Sequence, residues 1–224
     1  MSLPIHTQAA PRPQDMAALV GDLTLRRGRL HEMCGPSRLR LAVQVMARMQ
    51  GPVIWIRPGW VQERLNAAGL QPLANPSRLI LVSAAREDGL LWAMEEGLRA
   101  GVAPLVVAEL PTPPGLTPVR RLHLAAEAGG EAAQRAGGPV PLGLILTPGE
   151  GGAPGVESRW HLAPAPSPAL LWAAGESWVL TRLRARLAPP ARWRLHLGDG
   201  RGQDGTGELE PLATDDPTDN PGQP

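Results

Sequence analysis

The chain has 224 residues, 43% of them hydrophobic, which is enough to bury one substantial core and short for two full domains. All 22 of its Lys+Arg residues are arginine and its single cysteine is Cys34, so lysine Schiff-base chemistry and an intrachain disulfide are both excluded. The net charge of +1 is unevenly spread: residues 201 to 224 hold one arginine against six acids, a net of −5, and the remaining 200 residues carry +6.

Residues 1 to 14 lack hydrophobic periodicity, a basic n-region and an apolar stretch, so they are expected to be disordered and the protein cytoplasmic. No apolar run reaches the ~18 residues that span a bilayer. Residues 28 to 42, GRLHEMCGPSRLRLA, read as a short strand entering Gly35-Pro36 and then a helix, the place for a phosphate-cradling loop. Counting the P-loop template G-x-x-x-x-G-K-[ST] from Gly35 puts the second glycine on Arg40, the lysine on Leu41 and the hydroxyl on Ala42. The template needs a glycine to wrap the phosphates, an ammonium to reach their oxygens and a hydroxyl for magnesium, and none of the three is present. Gly35, Pro36, Ser37, Arg38 and Arg40 therefore form a degenerate nucleotide loop. Arg38 and Arg40 read either as anion ligands at the helix N-terminus or as solvated side chains.

Further along, Val53 to Ile56, Leu79 to Val82, Leu105 to Val107 and Leu142 to Leu146 are short apolar runs without alternation, as expected for strands covered on both faces. Between them lie helical stripes. One carries Leu41, Val45 and Met49 after Ser37; a second carries Leu91, Met94 and Leu98 and stops at Gly101. A third starts at Pro118 and is expected to end at Gly129-Gly130. Strand and helix alternate from about residue 29 to 147, which predicts a parallel sheet with right-handed crossovers.

After Thr147 the pattern changes. Residues 158 to 163, 177 to 187 and 192 to 197 read as strands, and Ala188-Pro189-Pro190-Ala191 turns the last two into a hairpin. Alternation places Arg182, Arg184 and Arg186 on one side of the first strand, and Arg192, Arg194 and His196 alternate with Trp193, Leu195 and Leu197 on the second, which predicts one strongly basic face. These five arginines are the candidate partner- or DNA-binding residues; five like charges repel unless something negative approaches, and the acidic tail is one such group. Residues 201 to 224 are otherwise expected to be disordered, leaving residues 15 to 200 as the folded domain. Arg120, Arg121 and His123 on the third helix read as a solvated face or as DNA contacts. Trp55, Trp92, Trp160 and Trp193 read as core; Trp60, after a strand and beside two chain breakers, reads as core or as an exposed contact for stacking or a partner. The five histidines show no ligand spacing, and neither a metal site nor a G-x-S-x-G elbow is expected.

The order GRLHEMCGP-helix, VIWI strand, WAMEEGLRAG helix, PLVVAEL, basic helix, LGLILT and a hairpin turning through APP resembles the RecA core across roughly residues 28 to 200. More closely, WIRPGW, GLTPVRRLHLAAE and PGVESRWHL resemble the RecA-related ImuA family, in its short alphaproteobacterial branch. The resemblance implies an α/β RecA-like fold: a mostly parallel central sheet with helices on both faces and a C-terminal antiparallel hairpin. It implies an accessory protein of damage-induced mutagenesis, with an ImuB-type Y-family-like protein, an error-prone DnaE-type polymerase and RecA as partners and DNA as a further candidate.

Against the RecA pattern, the magnesium-associated aspartate is replaced by Ala108, with Glu109 one residue later on the opposite face. Arg57-Pro58-Gly59-Trp60 holds no carboxylate where the RecA catalytic glutamate lies. PGEGGAPG replaces a long DNA-contacting loop. The two hairpin lysines that reach a neighbouring subunit's nucleotide in RecA correspond to Arg184 and Arg186. The expectation is a pseudo-ATPase without cofactor, acting as a binding module. The alternatives are a SulA-like cell-division or recombination regulator and a divergent ATPase using Arg40.

Overall fold

The computed structural model describes residues 13–165, 176–197 and 207–212. A 3-10 turn (Pro13–Asp15) leads into a hairpin of β1 (Met16–Val20) and β2 (Leu23–Arg26). Then β3 (Leu30–Cys34), α1 (Arg38–Ala47), β4 (Val53–Pro58), the single turn α2 (Ala67–Leu70), β5 (Leu79–Ala84), α3 (Glu87–Ala100), β6 (Leu105–Glu109), α4 (Leu116–Arg135) and β7 (Leu142–Leu146) alternate. The chain continues through β8 (Ser158–Pro164), β9 (Glu176–Ala185), β10 (Ala191–Leu197) and β11 (Gly207–Leu212).

Nine of these strands form one sheet in the order β11-β10-β9-β8-β3-β7-β6-β4-β5. Strands β8, β3, β7, β6, β4 and β5 run parallel, while β9, β10 and β11 continue antiparallel beyond β8. The result is a mixed α/β fold with a large, mostly parallel sheet flanked by helices and a C-terminal antiparallel hairpin. No helix among the described residues is long and apolar enough to cross a membrane.

The apolar runs explain the layering. In β6 and β7 successive residues point to opposite faces, so an unbroken run must be covered twice. On one face Met33, Trp55, Val107, Leu144 and Trp160 pack beneath Leu41, Val45 and Met46 of α1 and Leu19 and Leu25 of the N-terminal hairpin. On the other, Leu30, Ile56, Val106 and Ile145 pack beneath Leu90, Met94 and Leu98 of α3 and Val119, Leu122 and Ala126 of α4. Each such side chain contributes about 1.5–3 kcal/mol by leaving water.

Several expectations are corrected. Strand β5 is an edge, not an inner strand: Ile80 is 51% and Leu81 59% exposed, because the four-residue α2 covers little of it and, among the described residues, no strand lies outside it. Helix α4 runs through Gly129-Gly130 to Arg135. There the glycines serve contact: a Cβ on Gly129 would sit 1.8 Å from the Leu98 carbonyl oxygen, and the left-handed Gly101 that ends α3 abuts Gly129. Close crossing of α3 and α4 offsets the roughly 1 kcal/mol that each mid-helix glycine costs. Trp92 is 64% exposed; it lies two residues from both Leu90 and Met94, about 200° around the helix from the buried stripe. Trp60 is also on the surface, at 48%.

At the C-terminus, residues 207–212 are not structureless, as expected for the acidic tail, but form β11 along β10. Alternation in GELEPL is the signal that shows this in retrospect. The hairpin β1–β2 was likewise not among the sequence-read elements, although Gly21-Asp22 between Ala17–Val20 and the alternating Leu23 and Leu25 is a two-residue turn.

Candidate functional site

The carboxyl ends of β3, β7 and β8 are where an α/β sheet of this kind binds ligands. Strand β3 ends at Cys34, and Gly35 turns the chain into α1 with φ +87°, a conformation that favours glycine. The loop is pressed into the protein. A Cβ on Gly35 would lie 2.6 Å from the Leu162 carbonyl oxygen and 2.7 Å from His161 Nε2. The Gly35 amide donates to Gly149 O at 2.8 Å, and the Ser37 amide donates to Leu162 O at 3.0 Å. Pro36 has no amide proton. Two N–H groups that would face a phosphate therefore already hold carbonyls of β8 and of the β7–β8 loop.

The arginines of this loop fold inward as well. Arg38 donates through its amide and through Nη1 (3.2 Å) to Gly35 O, and Ser37 caps α1 without a side-chain bond. The Arg40 guanidinium lies 5.1 Å above the ring of Trp178 on β9. Cys34, just before the loop, is buried and donates its Sγ–H to Trp160 O at 3.4 Å; burial, and then the nearby Glu32 and Glu150 charges, push its thiol pKa up to about 12. It is a packing residue and not a nucleophile.

Ala108, Glu109 and Arg57, the residues where the sequence raises the question of a magnesium or catalytic carboxylate, are engaged within the protein. Ala108 is buried in the α3/α4 layer, while Glu109 points to the α1 side, as strand alternation requires, and accepts a 2.6 Å hydrogen bond from Trp55 Nε1. The Arg57 guanidinium is buried and donates to Val61 O at 2.8 Å and to Glu63 O, tying down the Gly59-Trp60 loop.

The residue that sequence reading missed is Glu32. It is fully buried in the middle of β3 and accepts hydrogen bonds from Thr147 Oγ1 (2.7 Å), Gly152 N (3.0 Å), Ala153 N and Arg159 Nε (2.5 Å). Arg159 also donates to Ala153 O. Four donors around one carboxylate satisfy a buried charge and clamp the PGEGGAPG loop inward, so its amides point at Glu32 and not at solvent. The signal in the sequence is a His-Glu pair inside a strand that must be buried on both faces. On the opposite face His31 Nδ1 accepts from Ser158 Oγ at 2.6 Å, Nε2 lies 2.9 Å from Arg26 O, and Trp160 Nε1 donates to Ser158 Oγ.

The candidate basic face is split by the register. Arg192 pairs with Thr181 and Arg194 with Val179, whereas Arg182 pairs with Ala191, two residues before Trp193. Strand alternation therefore puts Arg182 on the face of Trp193, Leu180 and Trp178, opposite Arg192 and Arg194. Its guanidinium sits 5.6 Å from the Trp160 ring and 5.2 Å from the Trp193 ring, and Nε donates to Pro189 O. Along β8, Trp160 pairs with Arg182 but Arg159 pairs with Arg184, leaving Leu183 as the extra residue of a β-bulge. The bulge flips Arg184 onto the face of Arg192 and Arg194. Arg186, just past β9, donates its amide to Glu157 O and borders a groove of about 510 Å³ with Arg29, Arg120 and Glu127.

On α4, Arg121 pairs with Glu95 of α3 at 2.6 Å, so it bridges two helices. His123 accepts from Leu30 N and donates to Gly155 O at 3.1 Å; burial lowers its pKa, which keeps it a neutral linker between α4 and β3. Of that trio Arg120 and Arg121 are exposed, as a solvated face requires, and His123 is not.

No family model matches the chain, and no curated protein matches it. Among solved structures it is similar to the crystal structure of SulA from Pseudomonas aeruginosa, at 20% identity over 54% of this chain and 98% of that one, with a TM-score of 0.41. A likeness at that level bears on neither activity nor partner.

Proposed function

We propose that this chain is a RecA-like pseudo-ATPase that works as a binding module in damage-induced translesion synthesis, associating with an ImuB-type protein and, through it, with an error-prone DnaE-type polymerase and RecA. The observation that carries the first half of this reading is the strand-to-helix loop: its Gly35 and Ser37 amides are bound to Gly149 O and Leu162 O, in a chain that has no lysine. A phosphate would have to displace both bonds and would meet no ammonium. The inward Glu32 clamp supports the same reading, since the loop after β7 offers its amides to a carboxylate and not to a nucleic acid.

The partner half of the proposal rests on the ImuA resemblance and on Arg184, Arg192 and Arg194, which share one face of the hairpin. Arginine is suited to this work because its planar fork pairs with carboxylates and phosphates. The test is a pull-down with a purified ImuB-type protein using the intact chain and the Arg184→Glu, Arg186→Glu double variant. Both substitutions lie at exposed positions, so folding is expected to be unchanged while retention of the partner drops about tenfold, the loss of roughly 1.4 kcal/mol. Equal retention by the two proteins would reject this surface as the contact.

A further inference from the structure

Strand β11 lies inside the acidic tail and, among the described residues, is the edge strand at the antiparallel end of the sheet. It pairs antiparallel with β10 over Arg192 to Leu197, with Glu210 opposite Arg194 and Glu208 opposite His196. The alternate residues, Leu209 and Pro211, lie opposite Leu195 and Trp193, and Leu209 packs against the core of the α1 face. From Glu208 to Pro211 the segment is thus amphipathic with period two, with carboxylates toward the arginine face and Leu209 and Pro211 on the other; Leu212, opposite Arg192, ends the pattern.

Two further features distinguish β11 from an ordinary third strand. The β9–β10 turn is Arg186 to Pro190, whereas residues 198 to 206 separate β10 from β11, far more chain than an antiparallel neighbour needs. Pro211 has no amide proton to give a ladder, and proline in a sheet is confined to edges, which fits the place of β11 at the end of the strand order among the described residues.

We propose that the edge of β10 is a docking site for an extended acidic segment of a partner protein, which adds to the sheet as a strand, and that residues 207–212 are the chain's own occupant of that site. The partner segment alternates acidic and apolar residues as Glu208 to Pro211 do, with carboxylates at the Arg194 and His196 positions and an aliphatic side chain over Leu195. Main-chain hydrogen bonds along β10 provide affinity and the alternating side chains provide selection, the mode of strand addition to an open edge. A nucleic acid would engage the arginines but not the amide and carbonyl row of β10. Because β11 is covalently tethered, it holds the site at high effective concentration, and a partner must displace it. This site stands apart from the translesion reading, since it rests on strand pairing alone and not on the emptied loop.

The test uses the full chain and a fluorescein-labelled peptide of residues 205–214, GTGELEPLAT, followed by anisotropy. In the Leu209→Asp, Glu210→Arg variant the tethered strand loses its apolar anchor and meets Arg194 with like charge, so the peptide is expected to bind about tenfold or more tighter than to the unaltered chain. Glu210→Arg alone, a milder change at an exposed position, is expected to move binding in the same direction by a smaller factor. Adding Arg194→Glu to either variant, or replacing both peptide glutamates by arginine, is expected to abolish the gain. Peptide titrations that coincide for the unaltered chain and a folded variant would overturn the proposal. A released variant that binds a labelled single-stranded oligonucleotide but not the peptide would overturn it in favour of a nucleic-acid surface.

Discussion

Strands β3 and β7 bury every side chain between two layers, whereas among the described side chains of β10 Leu195 alone is fully inside, and β9 turns Arg184 outward. In the parallel half the Gly35 and Ser37 amides of the loop that leads into α1 are bonded to Gly149 O and Leu162 O. The antiparallel half presents arginines. Between them runs a polar seam, β3 against β8, with His31 opposite Ser158 on one face and Glu32 opposite Arg159 on the other. The contrast lies in what each half offers: the Gly35 and Ser37 amides at the end of β3 are already bonded, whereas the hairpin turns Arg184 to solvent, and the proposed closed loop and proposed partner surface rest on that difference.

Breaking the seam tests whether the parallel half depends on it. Glu32→Ala leaves Arg159 near the core without its carboxylate and frees the amides of Gly152 and Ala153, so unfolding free energy is expected to fall by about 3–5 kcal/mol, read from the urea midpoint. Unchanged stability would mean that the loop is held by other contacts and that the inward clamp is incidental.

Acid probes the other face of the seam. Burial is the main cause that pushes the His31 pKa down from 6.5 to about 4. Above pH 6.5 neither the folded nor the unfolded chain protonates it; as pH falls toward 4 the unfolded chain takes up a proton that the folded one refuses. Stability is therefore present near neutrality and lost through that window, by about 3 kcal/mol at most. A His31→Gln variant is expected to lose that slope when urea midpoints are followed against pH, and a slope identical to the parent would assign the acid sensitivity elsewhere.

The smallest effect concerns Arg182, which stacks on Trp160 and Trp193 and stands on the opposite face from its neighbours. Arg182→Met is expected to cost about 1 kcal/mol of stability and to leave partner retention unchanged, in contrast to the Arg184 and Arg186 pair. Loss of partner binding with full stability would place Arg182 back in the contact surface.

Much of this architecture is legible in the sequence. Unbroken apolar runs gave β4, β6 and β7 because a doubly covered strand has nowhere to put a polar group, and the stripe after Ser37 gave α1. What was hidden depends on contacts that a local pattern does not carry. The bulge at Leu183 moves Arg184 across the sheet without any change of composition, and so overturns a face read from simple alternation. Gly129-Gly130 reads as a helix end until Leu98 is found against it. Strand β5 has the same apolar run as its inner neighbours, and only the strand order makes it an edge. At the candidate site, the missing lysine was legible, but the engagement of Gly35 and Ser37 amides by Gly149 and Leu162 was not, because those partners lie more than a hundred residues away in the chain.

The occupied loop is what the account depends on most. Equilibrium dialysis of the intact chain against radiolabelled ATP with magnesium measures it directly. No saturable binding is expected into the millimolar range, and none is expected to appear in Gly35→Ala. Saturable micromolar binding with release of phosphate would show that the loop opens for a triphosphate, and would contradict the account.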